Sequence, residues 1–69
     1  MRLPLNSDAQ AAVRETSKAQ VWFFVCDSRR RAATVVGAHI SLYLAKRDAR
    51  RIGGCVRVGR VDGLYAVTF

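Results

Sequence analysis

Residues 55–69 read "CVRVGRVDGLYAVTF". Apolar and polar residues alternate on both sides of Asp62-Gly63, and an Asp-Gly pair in that setting is a two-residue hairpin turn of the kind that needs positive φ. The expected register sets Val61 opposite Leu64, with Val58 facing Val67 and Val56 facing Phe69 on the core side. Arg60 then pairs with Tyr65 near the turn, and Arg57 pairs with Thr68 on the opposite face.

Immediately upstream the period changes. In "AHISLYLAKRDARRIGG" (residues 38–54) the residues Ala38, Leu42, Ala45, Ala49 and Ile52 share one arc of a helix, and Gly53-Gly54 stops it as a C-cap would. An amphipathic helix with small alanines on its apolar face is expected to sit close to a sheet. Its far side carries His39, Tyr43, Lys46, Arg47, Arg50 and Arg51. Ile40 and Leu44 belong to neither face and are expected to pack on the first helix.

Further upstream, "VWFFVC" (residues 21–26) is short, rich in β-branched and aromatic residues and bounded by the turn-forming Asp27-Ser28. It reads as a strand apolar on both faces, Val21, Phe23 and Val25 pointing one way and Trp22, Phe24 and Cys26 the other. That pattern predicts a central strand, or one covered on its second face by the first helix. "AATVVG" (residues 32–37) supplies the return strand, which makes "DSRRR" (residues 27–31) the hairpin connection. Ser7 and Gln10 have the spacing of a capping box, so a short helix is expected from about Asp8 to Ser17 with a thin apolar face of Ala9, Ala12 and Val13. The leading "MRLPL" is read as loose chain.

The order is helix, strand, strand, helix, strand, strand: an α+β fold with a four-stranded antiparallel or mixed sheet and two helices packed on it, one domain over residues 1–69. A chain of 69 residues with 51% hydrophobic residues, one proline and five glycines has the composition of a folded domain with one small core. The twelve Lys and Arg, mostly arginine, against five Asp and Glu give a net charge of +7. Such a balance favours anionic partners by long-range attraction. Cys26 and Cys55 show neither a CxxC nor a Cys/His spacing and are read as free structural thiols of a reducing, cytoplasmic protein. No stretch approaches the roughly 18 apolar residues of a membrane span.

The residues argue against catalysis. His39 is the only histidine, no serine or cysteine stands in a nucleophile context beside it, and the acids are scattered. No metal-ligand spacing, glycine-rich phosphate loop or cofactor motif is present, so no cofactor is expected. What remains are three basic clusters: Arg29, Arg30 and Arg31 in the hairpin connection; Lys46, Arg47, Arg50 and Arg51 on the helix; and Arg57 with Arg60 on the last hairpin. The helix links the two hairpins, so the loop tip and the helix face are expected to form one continuous surface. Three adjacent cations at a loop tip repel one another, which favours contact with a partner over mere solvation. A helix-turn-helix reading of "ATVVGAHISLYLAKRDARR" fails on its first element, because "AATVV" favours a strand.

The stretch "LAKRDARRIGGCVRVGRVDGLYAVTF" (residues 44–69), a basic amphipathic helix running into a DG-type hairpin, resembles the helix-then-hairpin portion of some small α/β anti-CRISPR proteins. The chain as a whole is similar to a type I-C inhibitor of that class in size and charge. The resemblance implies a non-enzymatic phage or mobile-element protein that binds the crRNA-guided Cascade complex stoichiometrically and blocks recruitment of target DNA. A basic protein cannot imitate DNA at a basic groove, so the implied contact is an acidic surface on a Cas subunit, or the guide RNA or DNA directly, made by a monomer in the bacterial cytoplasm. A small basic nucleic-acid-binding accessory or regulatory protein is the alternative.

Overall fold

The computed structural model describes residues 1–16 and 21–69. Its elements are β1 (Arg2–Pro4), α1 (Ser7–Glu15), β2 (Trp22–Cys26), β3 (Val35–His39), α2 (Leu42–Ile52), β4 (Cys55–Asp62) and β5 (Tyr65–Thr68). The strands form one sheet in the order β1-β5-β4-β2-β3, each neighbouring pair antiparallel. Leu5, just past β1 at one edge, makes a parallel bridge to Val35 at the other edge, and the Asn6 N–H donates to the Val35 carbonyl at 2.9 Å. The two edges can meet only if the sheet curls, so the fold is α+β: two helices and a five-stranded antiparallel half-barrel.

The fifth strand comes from the segment read as loose chain. Only Leu3 of β1 points inward, and three residues are too few to show a period. Pro4 fits because β1 is an edge strand, where the missing N–H faces no partner.

β2 carries the organisation of the core, as its two-faced pattern predicts. Trp22, Phe24 and Cys26 lie on the concave side with Leu3, Leu5, Val35 and Ala66, closed over by Ala9, Ala12 and Val13 of α1. Phe23 and Val25 lie on the convex side with Val36 and Val56, against Ala45 and Ala49 of α2. β2 sits between β4 and β3, so both faces of one central strand are covered by different helices.

α1 begins one residue earlier than the capping box implies. Asn6 is the N-cap, its Oδ1 accepting from the Ala9 N–H at 2.9 Å, while the Gln10 side-chain amide donates to the Leu5 carbonyl at 3.0 Å. The expected helix end at Ser17 lies outside the described residues. α2 is capped by Ser41 and ends on Gly53, which is left-handed at φ 70°, with the Gly54 N–H donating to the Ala49 carbonyl at 2.9 Å. Ala38 and His39 belong to β3 and not to α2, and Leu42 and Ile52 at the ends of the apolar arc stay half-exposed. Ile40 and Leu44 do not pack on α1: both are exposed, because α1 lies on the concave face and α2 on the convex one.

The last hairpin forms, but in a different register. Asp62 pairs with Tyr65, Val61 with Ala66, Arg60 with Val67 and Gly59 with Thr68, so the two-residue loop is Gly63-Leu64. Gly63 takes φ 62° and, among the described residues, no non-glycine residue has positive φ, so the glycine occupies the first loop position, as a type II′ turn requires. The slip aligns Val61, Ala66 and Leu3 in one row across three strands on the concave face. Val58 and Phe69, expected in the core, are exposed instead. Gly63→Val forces a branched side chain into positive φ and is expected to cost about 1–2 kcal/mol, read as a lower urea midpoint with an unchanged slope.

Cys26 and Cys55 are free thiols, yet they are direct register partners across β2 and β4, a proximity the sequence spacing does not show. Burial above all, then the neighbouring Cys55, pushes the Cys26 thiol up from 9.0 to about 11. A raised acid is held neutral by folding, so its contribution is complete below pH 9.0 and is lost as pH rises through about 11. The loss is on the order of 2–3 kcal/mol. Urea unfolding at pH 8.5 and 11 checks it: Cys26→Ala should flatten that part of the pH dependence.

Candidate functional site

The nine basic residues singled out in the sequence do not form one surface. The loop between β2 and β3 is held at both ends: the Asp27 N–H donates to the Thr34 carbonyl at 3.1 Å, and the Thr34 N–H donates to Asp27 Oδ1 at 3.1 Å. Within it the Arg30 N–H donates to Ser28 Oγ at 3.3 Å, and Arg29, Arg30 and Arg31 are all exposed. "DSRRR" is therefore a shaped loop with its cations in solvent, fixed by the Asp and the Ser that precede them.

α2 presents its basic residues on two flanks. Lys46 and Arg50 are one turn apart and share a shallow depression with Arg29, floored by Ala49, Gly53 and Val56. Tyr43 and Arg47 continue the surface beside Lys46 and Arg50 over the outer face of the helix. The expected continuity of loop tip and helix face holds for these residues, because the Schellman-type end of α2 brings the chain straight into β4 beside the loop. No acidic side chain lines either depression.

Five of the nine line neither depression: Arg30 and Arg31 in the loop, and Arg51, Arg57 and Arg60 elsewhere. Arg51 is on the other flank of α2, 3.6 Å from Asp48, whose second oxygen is 2.6 Å from His39 Nε2. His39 is thus a partner of α2 reached from β3. Arg57 is half-buried and structural: its Nη2 donates to the Arg30 carbonyl at 2.9 Å and its Nη1 contacts Met1 Sδ at 3.3 Å. It props the basic loop from below and does not join the surface above it. Arg60 is exposed on the convex side of β4, where it pairs with Val67 of β5.

Among the described residues, ion pairs engage Arg2 and Arg51, His39 hydrogen-bonds Asp48, and no such partner engages Arg29, Lys46, Arg47 or Arg50. Lys46, Arg47 and Arg50 beside Tyr43, with Arg29 in the adjoining depression, are the candidate anion-binding surface. Tyr43, 72% exposed, is the member that charge counting misses; its place on the basic side of the helix is the signal that finds it. Among the described residues no cluster of three or more His, Cys, Asp or Glu is arranged to hold a metal ion, and no helix is long and apolar enough to cross a membrane. No protein-family model, curated protein or solved structure matches this chain.

Proposed function

We propose that this protein is a non-enzymatic, stoichiometric anti-CRISPR protein that binds the crRNA-guided Cascade complex in the bacterial cytoplasm and blocks recruitment of target DNA. The partner class comes from the resemblance of residues 44–69 to small α/β anti-CRISPR proteins. The observation that supports a binding role is the pair of adjoining acid-free depressions, one lined by Tyr43, Lys46, Arg47 and Arg50 and the other by Arg29, Lys46 and Arg50. Unpaired cations fixed on a helix and a braced loop suit an acidic protein face, where complementary charge raises the association rate and orients the encounter. A guanidinium-rich surface also suits bidentate capture of carboxylates.

The test is retention of purified type I-C Cascade, freed of target DNA, on the immobilised protein at about physiological salt. Retention together with loss of target-duplex binding is the expected result. If Cascade flows through while duplex, single-stranded DNA or RNA is retained with a steep salt dependence, the protein is a nucleic-acid-binding accessory factor instead.

A further inference from the structure

Cys26 and Cys55 face each other across β2 and β4, and both side chains lie on the concave face, Cys26 in the core cluster and Cys55 packed against it. Direct partners in an antiparallel ladder hold their Cα atoms about 4.5–5.5 Å apart and their Cβ atoms about as close. A disulfide spans Cα separations of roughly 4.4–6.8 Å, so the ladder itself sets the two thiols at bridging distance. Their access differs. Cys26 is fully buried, whereas Cys55 is half-buried and lines the depression that Arg29, Lys46 and Arg50 share. Burial above all, then the neighbouring Cys55, holds the Cys26 thiol up at about 11, while the Arg57 guanidinium acts in the opposite sense. Cys55 Sγ also donates to the Ser28 carbonyl at 3.3 Å, a hydrogen bond that ties β4 to the loop carrying Arg29, Arg30 and Arg31.

We propose that Cys26 and Cys55 are a reversible redox pair, oxidised by a low-molecular-weight disulfide, and that their oxidation cuts the Ser28 tether of the basic loop. This goes beyond the reading of the partner and does not depend on it. The Cys55 thiolate attacks one sulfur of the oxidant, so that a mixed disulfide forms on Cys55 and one small thiolate leaves. Cys26 then gives up its proton, its thiolate attacks Cys55 Sγ, and the second small thiolate leaves as the bond between Cys26 and Cys55 forms. The two cysteines have lost two protons and two electrons, and the oxidant has become two thiols. The environments set this order. A thiol buried and held near 11 carries little thiolate at neutral pH, which leaves the accessible Cys55 as the attacking group. Cys26 resolves the adduct because the ladder holds it beside Cys55, where the second step is intramolecular. A bridged Cys55 has no S–H, so the Ser28 carbonyl loses its donor, while the Arg57 contact to the Arg30 carbonyl and the Asp27 contacts to Thr34 remain. The loop loosens at Ser28 and stays anchored at its ends.

Oxidised glutathione added to the reduced, folded protein at neutral pH tests the pair, read as intact mass and peptide map against time. The expected course is a transient single glutathione adduct on Cys55, then a monomer two hydrogens lighter than the reduced protein with Cys26 linked to Cys55, restored to its starting mass by dithiothreitol. Cys26→Ala should stop at the mixed disulfide, and Cys55→Ala should react at least about tenfold more slowly, circular dichroism checking that each is folded. The Arg30 amide, which donates to Ser28 Oγ, reports the loop: its hydrogen exchange should be at least about threefold faster in the bridged protein. Cys55→Ala, which lacks the S–H donor, should show the same faster exchange without oxidant, and Cys55→Ser, which keeps a donor, should not. A parent protein that stays reduced, stops at glutathione adducts or links only between molecules overturns the redox pair, whether or not either variant folds. A bridge that leaves Arg30 exchange unchanged overturns the coupling to the loop.

Discussion

Gly59→Val should abolish the native fold. A Cβ at this position would collide with the Val67 carbonyl oxygen and lie 2.8 Å from Thr68 Cα, and both are backbone atoms that no rotamer change can move. Gly59 is also the residue at which β4 is paired on both sides, to Trp22 of β2 and to Thr68 of β5. Relieving the clash therefore means pulling β5 from β4 and opening the curl that lets Leu5 reach Val35. Overpacking of an ordinary core site costs about 1–3 kcal/mol. Here the obstruction is main chain in an interior strand, so the cost should exceed about 4 kcal/mol, a large share of the stability of so small a domain. Circular dichroism and urea unfolding at 25 °C decide the matter. A Gly59→Val protein with a midpoint near that of the parent would mean that β4 and β5 do not approach as described. Gly63→Val is the internal comparison, since it strains one dihedral without touching a neighbour.

Reversing charge at Arg29, Lys46 and Arg50 together should abolish partner binding and leave the fold intact. All three are exposed, none is in an ion pair, and none packs in either core cluster, so unfolding midpoints should move by no more than about 0.5 kcal/mol. Against an acidic partner each replacement removes an attraction and adds a repulsion. A total loss on the order of 4 kcal/mol, roughly a thousandfold in affinity, follows, much of it as slower association. Arg14→Glu on α1 is the control, because Arg14 lies away from both basic depressions. Arg2 is a poor control: it pairs with Asp62 at 3.0 Å and lies 5.2 Å over the Tyr65 ring. Arg57→Glu should behave differently from the triple variant, destabilising the loop it props as well as weakening binding. A folded triple variant that still inhibits as well as the parent would eliminate the basic surface as the binding site.

Much of this architecture follows from local rules that read directly in the chain. The two-faced apolar run 21–26 announces an interior strand, the alanine stripe Ala45 and Ala49 announces a helix pressed on a sheet, and Asp27-Ser28 and Gly63 mark the two hairpin ends. Each depends on residues a few positions apart, where periodicity and turn chemistry act. The basic cluster on Lys46, Arg47 and Arg50 is legible for the same reason, since residues three and four apart share a helix face.

What the tertiary structure decided are the matters that depend on distant partners. β1 exists because β5 offers an edge to Arg2–Pro4, and three residues carry no period of their own. The hairpin register depends on Leu3 completing a row with Ala66 and Val61, a contact from the opposite end of the chain. Arg29 joins Lys46 and Arg50 while Arg51 and Arg57 do not, because the end of α2 and the start of β4 turn beside one loop and away from other basic positions. Composition and spacing by themselves determined the two-helix α+β class and the sign of the surface; the tertiary structure determined which cations lie together, because only packing brings residues 29, 46 and 50 around one depression.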